Sequence, residues 1–242
     1  MREARPSNFP TTSWSLVLAA AANPTSDSRA SLAALCKTYW PPIYAFIRRN
    51  GHDQDHAEDL TQAFFVTMLE KNYLADADRE RGRFRTFLLT AIKHFLANEW
   101  DKAHALKRGG NQTLVPIDSV EAEAWYAPDA VDPRTPEVIF ARRWALSLLE
   151  HVIAKLRIEF AALGKKPEYF DRLWRLLNRE PGADRYETLA AELGASAGAL
   201  RVAVHRMRRR YRDLLRAEIA ETVSTPEEVD DEIRFLLSAV RA

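Results

Sequence analysis

A chain of 242 residues, 47% apolar and 29% charged, holds enough hydrophobic material for one large domain or two small ones. It has 8 glycines against abundant Ala, Leu, Arg and Glu, which predicts an all-α fold, and no stretch approaches the roughly 20 apolar residues of a membrane span. The net charge of +1 would speak against a nucleic-acid partner if it were spread evenly, but Lys and Arg collect at 79–85, 102–108 and 201–216, and acid collects at 118–132 and 227–232.

From Trp14 to Lys107 the apolar residues follow helical spacing, with Pro41-Pro42 and Gly51 expected as breaks between helices. No secretory apolar core precedes Trp14, so a cytoplasmic location is expected. Cys36, the single cysteine, lies in an apolar run and reads as a small buried hydrophobe rather than half of a disulfide. His52 and His56, beside Asp53, Asp55 and Glu58, resemble a helical metal pair, but Gly51 puts them at a helix start, where Asp is expected as a cap. The reading is therefore no metal and no cofactor.

In the helix that follows, Ala57, Leu60, Phe64 and Met68 share a packing face, and Glu58, Asp59 and Gln62 are expected on a free one. After a charged loop, 76–83, a second helix has Phe84, Phe87, Leu88, Ala91, Ile92 and Phe95 as its buried stripe. Trp100 is spaced from Ile92 and Leu96 as a core residue, although its basic surroundings would also suit stacking on an unpaired base.

Prolines 116, 128, 133 and 136 among acids predict a flexible acidic linker over 109–135. Thr135-Pro136 is a helix start, Thr as cap and Pro in the first turn, and helical spacing resumes through Ile139, Trp144, Leu148 and Val152. After a break expected at Pro181-Gly182, Tyr186 to Arg216 has the parts of a helix-turn-helix. Ala190 is small where helices cross, Gly194 serves the turn, and Ser196 caps the second helix. Leu189, Leu193, Leu200 and Val204 form the seam. The second helix carries Arg201, Arg206, Arg208, Arg209, Arg210, Arg212 and Arg216 against Asp213, a cation density suited to phosphate neutralisation.

The tail opens with a capping box, Thr225 and Glu228, and Val229, Ile233, Leu236, Leu237 and Val240 predict one apolar stripe. Its expected place is against the second domain, or over the Arg201–Arg216 face as a shield or a regulator's dock. The domains read as 1–108, a linker 109–135, 136–223 and a helical extension 224–242.

The order of these parts resembles the sigma factors of the extracytoplasmic-function (ECF) group, whose region two and region four are joined by a linker. Ala57-Glu-Asp-Leu-Thr-Gln with Phe64-Phe65 is similar to the region-two helix that grips the β′ clamp of core RNA polymerase. By that likeness Glu58, Asp59 and Gln62 bind the polymerase. Gly82-Arg-Phe-Arg-Thr-Phe-Leu-Leu and its basic continuation are similar to the helix that melts and reads the minus-ten promoter element. The likeness implies DNA contacts from Arg83, Arg85, His94, Asn98, Lys102, Lys107 and Arg108, with a flipped base captured by the loop 76–83.

Ser196-Ala-Gly-Ala-Leu-Arg-Val-Ala-Val-His-Arg-Met-Arg resembles the region-four recognition helix for the minus-thirty-five element, implying contacts from Ser196, Ala199, Arg201, His205, Arg206 and Arg209. Val202 and Ala203 stand where the family commonly has Ser and Arg. The resemblance further implies contact with the polymerase β subunit, control by an anti-sigma protein or another regulator, and linker acids (Asp118, Glu121, Glu123, Asp129 and Asp132) that mimic RNA charge. About 27 linker residues reach at most about 90 Å, enough for promoter elements about 17 base pairs, or about 58 Å, apart. The implied protein opens promoter DNA and is not an enzyme. Its rivals are a one-component helix-turn-helix regulator acting without polymerase and, with less support, a metal-dependent helical enzyme built on His52, His56 and Glu58.

Overall fold

The computed structural model describes residues 26–70, 83–106, 134–177 and 183–241. These form helices α1 (Ser26–Arg49), α2 (Gln54–Glu70), α3 (Phe84–Leu106), α4 (Pro136–Ala162), α5 (Pro167–Leu177), α6 (Ala183–Leu193), α7 (Ala197–Ala220) and α8 (Glu228–Arg241), with no strand among the described residues. The protein is all-α. The linker 109–135 apart from Arg134 and Thr135, the loop 76–82, Trp14, and the break at Pro181-Gly182 lie outside the described residues, as does the side chain of Cys36.

Pro41 and Pro42 do not break the first helix: α1 runs through both. Each lacks the amide that would bond a carbonyl one turn earlier, a loss of about 3 kcal/mol in an isolated helix. Tertiary packing offsets it, because Tyr39, Ile43, Tyr44, Phe46 and Ile47 around them are buried. The real stop is at Asn50-Gly51. Asn50 donates from both its amide and its side chain to the Phe46 carbonyl, and Gly51 takes φ +94°. Asp53 then caps α2, its carboxylate accepting from the His56 amide at 2.9 Å.

By internal contacts the described residues form two compact units, one up to Leu148 together with Glu218 onward, the other Leu149–Ala217. The sequence predicts divisions at the linker and at 223/224, whereas the contacts divide within α4 and near the end of α7. The reason for the first difference is an aromatic cluster. Trp144 of α4 stacks on Tyr39 of α1 at 4.6 Å and lies 6.0 Å from both Phe84 of α3 and Phe140. Phe140 in turn meets Phe46 edge-on at 6.2 Å. Arg49 adds a bond from Nε to the Arg134 carbonyl at 3.0 Å. The first half of α4 is thereby core to α1 and α3.

The tail packs with α3, in the same compact unit. The Phe84 amide donates to the Thr222 carbonyl at 3.0 Å. Thr222, Val223, Val229, Glu232, Leu236 and Ala239 are buried, while Leu237 is 42% exposed. The stripe predicted through Leu237 is rotated to one that places a glutamate at its centre. The acidic half of the capping box is present, the Glu228 carboxylate accepting from the amides of Ser224 and Thr225.

In the second unit, Val152, Leu156, Phe170, Leu173, Leu176, Ala190, Leu200, Val204 and Met207 make the core. Phe170 meets Phe160 edge-on at 5.4 Å, and Tyr211 of α7 meets Trp174 at 5.3 Å. Burial raises the Tyr211 phenol above its ordinary pKa.

Candidate nucleic-acid interface

α6 and α7 are joined by a three-residue turn, 194–196. Gly194 has φ +61°, and the Ala195 amide reaches back to the Ala190 carbonyl at 2.9 Å, closing the end of α6. Ser196 then opens α7, its hydroxyl accepting from the Ala199 amide at 3.1 Å. Leu200, Val204 and Met207 turn inward, so Ala199, Arg201, Val202, His205, Arg206, Arg208 and Arg209 are left exposed. The residues predicted for the minus-thirty-five contact thus share one accessible side of the start of α7.

The arginines of α7 are not equivalent. Arg201 lies 5.4 Å from the Tyr186 ring centroid, which props it against α6. Arg210 is held by Glu159 in a two-pronged pair, at 2.7 Å from Nε and 2.6 Å from an Nη, and that partner raises its pKa. Arg206, Arg208, Arg209 and Arg212 are exposed.

On α3, His94, Asn98 and Lys102 recur every four residues and all are exposed. Lys102 bonds Glu99 at 2.6 Å, and Lys93 beside this row bonds Glu137 at 2.7 Å, holding the Glu137 carboxyl below its usual range. Trp100 is 61% exposed, not core, whereas Phe84, Leu88, Ile92 and Phe95 of the same helix are buried. Lys107 and Arg108 lie outside the described residues.

Arg83 and Arg85 are separated from that row. Arg85 lays Nε and Nη2 on the Glu232 carboxylate at 2.6 and 3.3 Å, and Arg83 Nη1 reaches the same group at 3.0 Å. The Arg85 guanidinium also sits 3.7 Å above the Phe235 ring centroid. Sequence reasoning missed these partners. The available signal was Glu232 itself, three residues after Val229 and four before Leu236, which a stripe drawn through Ile233 and Leu237 passes over.

On α2 the expected free face is only partly free. Asp59 is exposed and Gln62 half-buried, but Glu58 is 5% exposed and accepts from Gln54 Nε2 at 3.3 Å. The buried stripe is wider than the sequence implied, because Phe65 stacks on Trp40 of α1 and draws the flank carrying Glu58 inward. His52 and His56 stack at 4.9 Å. Burial, then His56, lowers the His52 pKa against a smaller opposing effect of Asp53. Among the described residues no group of three His, Cys, Asp or Glu side chains is placed to hold a metal ion, and no helix is long and apolar enough to cross a membrane.

Residues 35–105 match the family model described as Sigma-70 region 2. The matched segment takes in the second half of α1 with α2 and α3, and it supports a sigma factor role in promoter recognition and transcription initiation. No curated protein and no solved structure matches the chain.

Proposed function

We propose that this chain is a sigma factor of the extracytoplasmic-function kind. It binds core RNA polymerase, recruits it to a promoter and opens the DNA, while the polymerase performs all covalent chemistry. The observation that carries the reading is the coincidence of the Sigma-70 region 2 match with α2 and α3, the helices bearing the acidic and the basic candidate faces. Asp59 and Gln62 on α2, joined by Glu58 if its side chain turns outward on docking, are the polymerase contacts.

His94, Asn98 and Lys102 make the minus-ten contacts, with exposed Trp100 stacking on a melted base, and the start of α7 reads the minus-thirty-five element through Ala199, Arg201, His205, Arg206 and Arg209. Arg and His reach base edges or phosphates there, whereas exposed Val202 offers only apolar contact, to a thymine methyl for instance. Such a protein works in the cytoplasm. The linker acids mimic RNA charge, and an anti-sigma protein or another regulator controls the chain.

The test is transcription in vitro with sigma-free core polymerase on a promoter library. Initiation from a defined subset is expected, reduced about fivefold or more by Trp100→Ala if a stacked base contributes about 1–3 kcal/mol. Tight duplex binding with neither core association nor initiation would favour a one-component regulator instead.

A further inference from the structure

At the beginning of α3 two arginines hold one carboxylate of α8. Arg83 occupies the cap position, its carbonyl accepting from the Thr86 and Phe87 amides, so the helix starts with no side-chain acceptor of its own. Two cations, Arg83 and Arg85, then stand at the positive end of the helix dipole, where an anion is favoured and a cation is not. Glu232 supplies that anion. It is 1% exposed and shared between the two guanidiniums, in the forked geometry that arginine offers equally to a carboxylate or to a phosphate.

Both arginines keep partial solvent access, with side-chain exposures of 26% for Arg83 and 16% for Arg85. One carboxylate against two guanidiniums leaves the cluster net positive.

The geometry points to an internal competitor: Glu232 occupies on Arg83 and Arg85 the place of a nucleic-acid phosphate, so seating of α8 and engagement of DNA by the start of α3 exclude one another. This rests on the reading of α3 as a nucleic-acid helix. Phe235 and the Thr222 carbonyl bond to Phe84 hold the tail in the seated state. DNA binding by this edge requires α8 to withdraw, and whatever holds α8 away activates the protein.

The full chain and its Glu232→Gln variant, which keeps shape and removes charge, are compared for binding of a fluorescein-labelled random-sequence single-stranded DNA. The variant is expected to bind about tenfold more tightly at roughly 50 mM salt, with the salt dependence of log K steeper by about 0.7 for each phosphate newly contacted. Adding Arg85→Gln should abolish the gain. Unchanged or weaker binding by a variant that melts like the wild type overturns the competitor.

Because Glu232→Gln is able to unfold the chain, the wild type is also followed by amide hydrogen exchange with and without excess DNA. Faster exchange at Phe84 and across 228–241 on DNA binding is expected. Bound DNA with unchanged exchange there overturns the competitor and leaves the reading of α3 standing. If no form binds DNA, alone or with core polymerase, both fall.

Discussion

Arg209 and Arg210 are sequence neighbours with different prospects as DNA contacts. Arg210 spends its fork on Glu159, whereas Arg209 is exposed on the side of α7 that carries His205 and Arg206. Arg209→Gln should therefore weaken duplex binding by roughly tenfold at moderate salt, as expected for one lost phosphate contact. Arg210→Gln should cost little affinity and, as an exposed pair, less than about 1 kcal/mol of stability. Parallel DNA titrations and thermal melts check both; equal losses of affinity would reject the distinction.

His52 makes a pH prediction at the same scale. Its folded pKa lies below the ordinary 6.5 because burial, then His56, disfavours the imidazolium. Its contribution to stability is thus complete above that pH and is lost as the pH falls through the depressed folded value. His56→Gln removes the smaller of the two lowering causes, so the His52 midpoint should rise without reaching that of an exposed histidine. An NMR titration of the imidazole carbons in both proteins measures it, and an unmoved midpoint would exclude the His56 contribution.

Among the elements, the joint of α6 and α7 is the most exacting. Gly194 has open space around it but a left-handed backbone, so Gly194→Ala meets no clash and still costs about 1 kcal/mol or more of the 149–217 unit's stability. Gly194→Asn should cost less, and chemical denaturation of the two variants compares them. This joint was legible in the sequence because its requirements are local: a small residue at 190, a turn residue at 194, a hydroxyl at 196 and an anchor at 200.

Where sequence reasoning failed, the deciding contacts are distant in the chain. Proline rules predicted a break at Pro41-Pro42, and burial of Tyr39, Ile43 and Tyr44 by other elements overrode them. Spacing from Leu96 put Trp100 in the core, yet it is 61% exposed, because periodicity names a face of a helix and not what covers it. In α8 a stripe drawn through the apolar residues alone passes over Glu232, because the partners that hold it buried, Arg83 and Arg85, lie nearly 150 positions earlier.

For the molecule as a whole, residues from Glu218 onward are part of the unit that holds α1, α2 and α3. Truncation before Ser224 would strip Val229 and Leu236 from the core, each contributing about 1.5–3 kcal/mol by burial, and would leave Arg83 and Arg85 without their carboxylate. Such a chain should lose several kcal/mol and unfold α1, α2 and α3 at lower denaturant than the intact protein. Circular dichroism with tryptophan fluorescence, to which Trp144 reports, follows this directly. A truncated chain as stable as the full one would show that the tail is dispensable for folding.

The bond from the Phe84 amide to the Thr222 carbonyl also bears on biosynthesis. At about 5–20 residues per second, a ribosome needs roughly 7–28 s after making Phe84 to reach Thr222, and α8 comes later still. During that interval the basic start of α3 exists without its closing partner. A chain cut short before Thr222 never acquires this bond, and the start of α3 in such a product keeps Arg83 and Arg85 without Glu232.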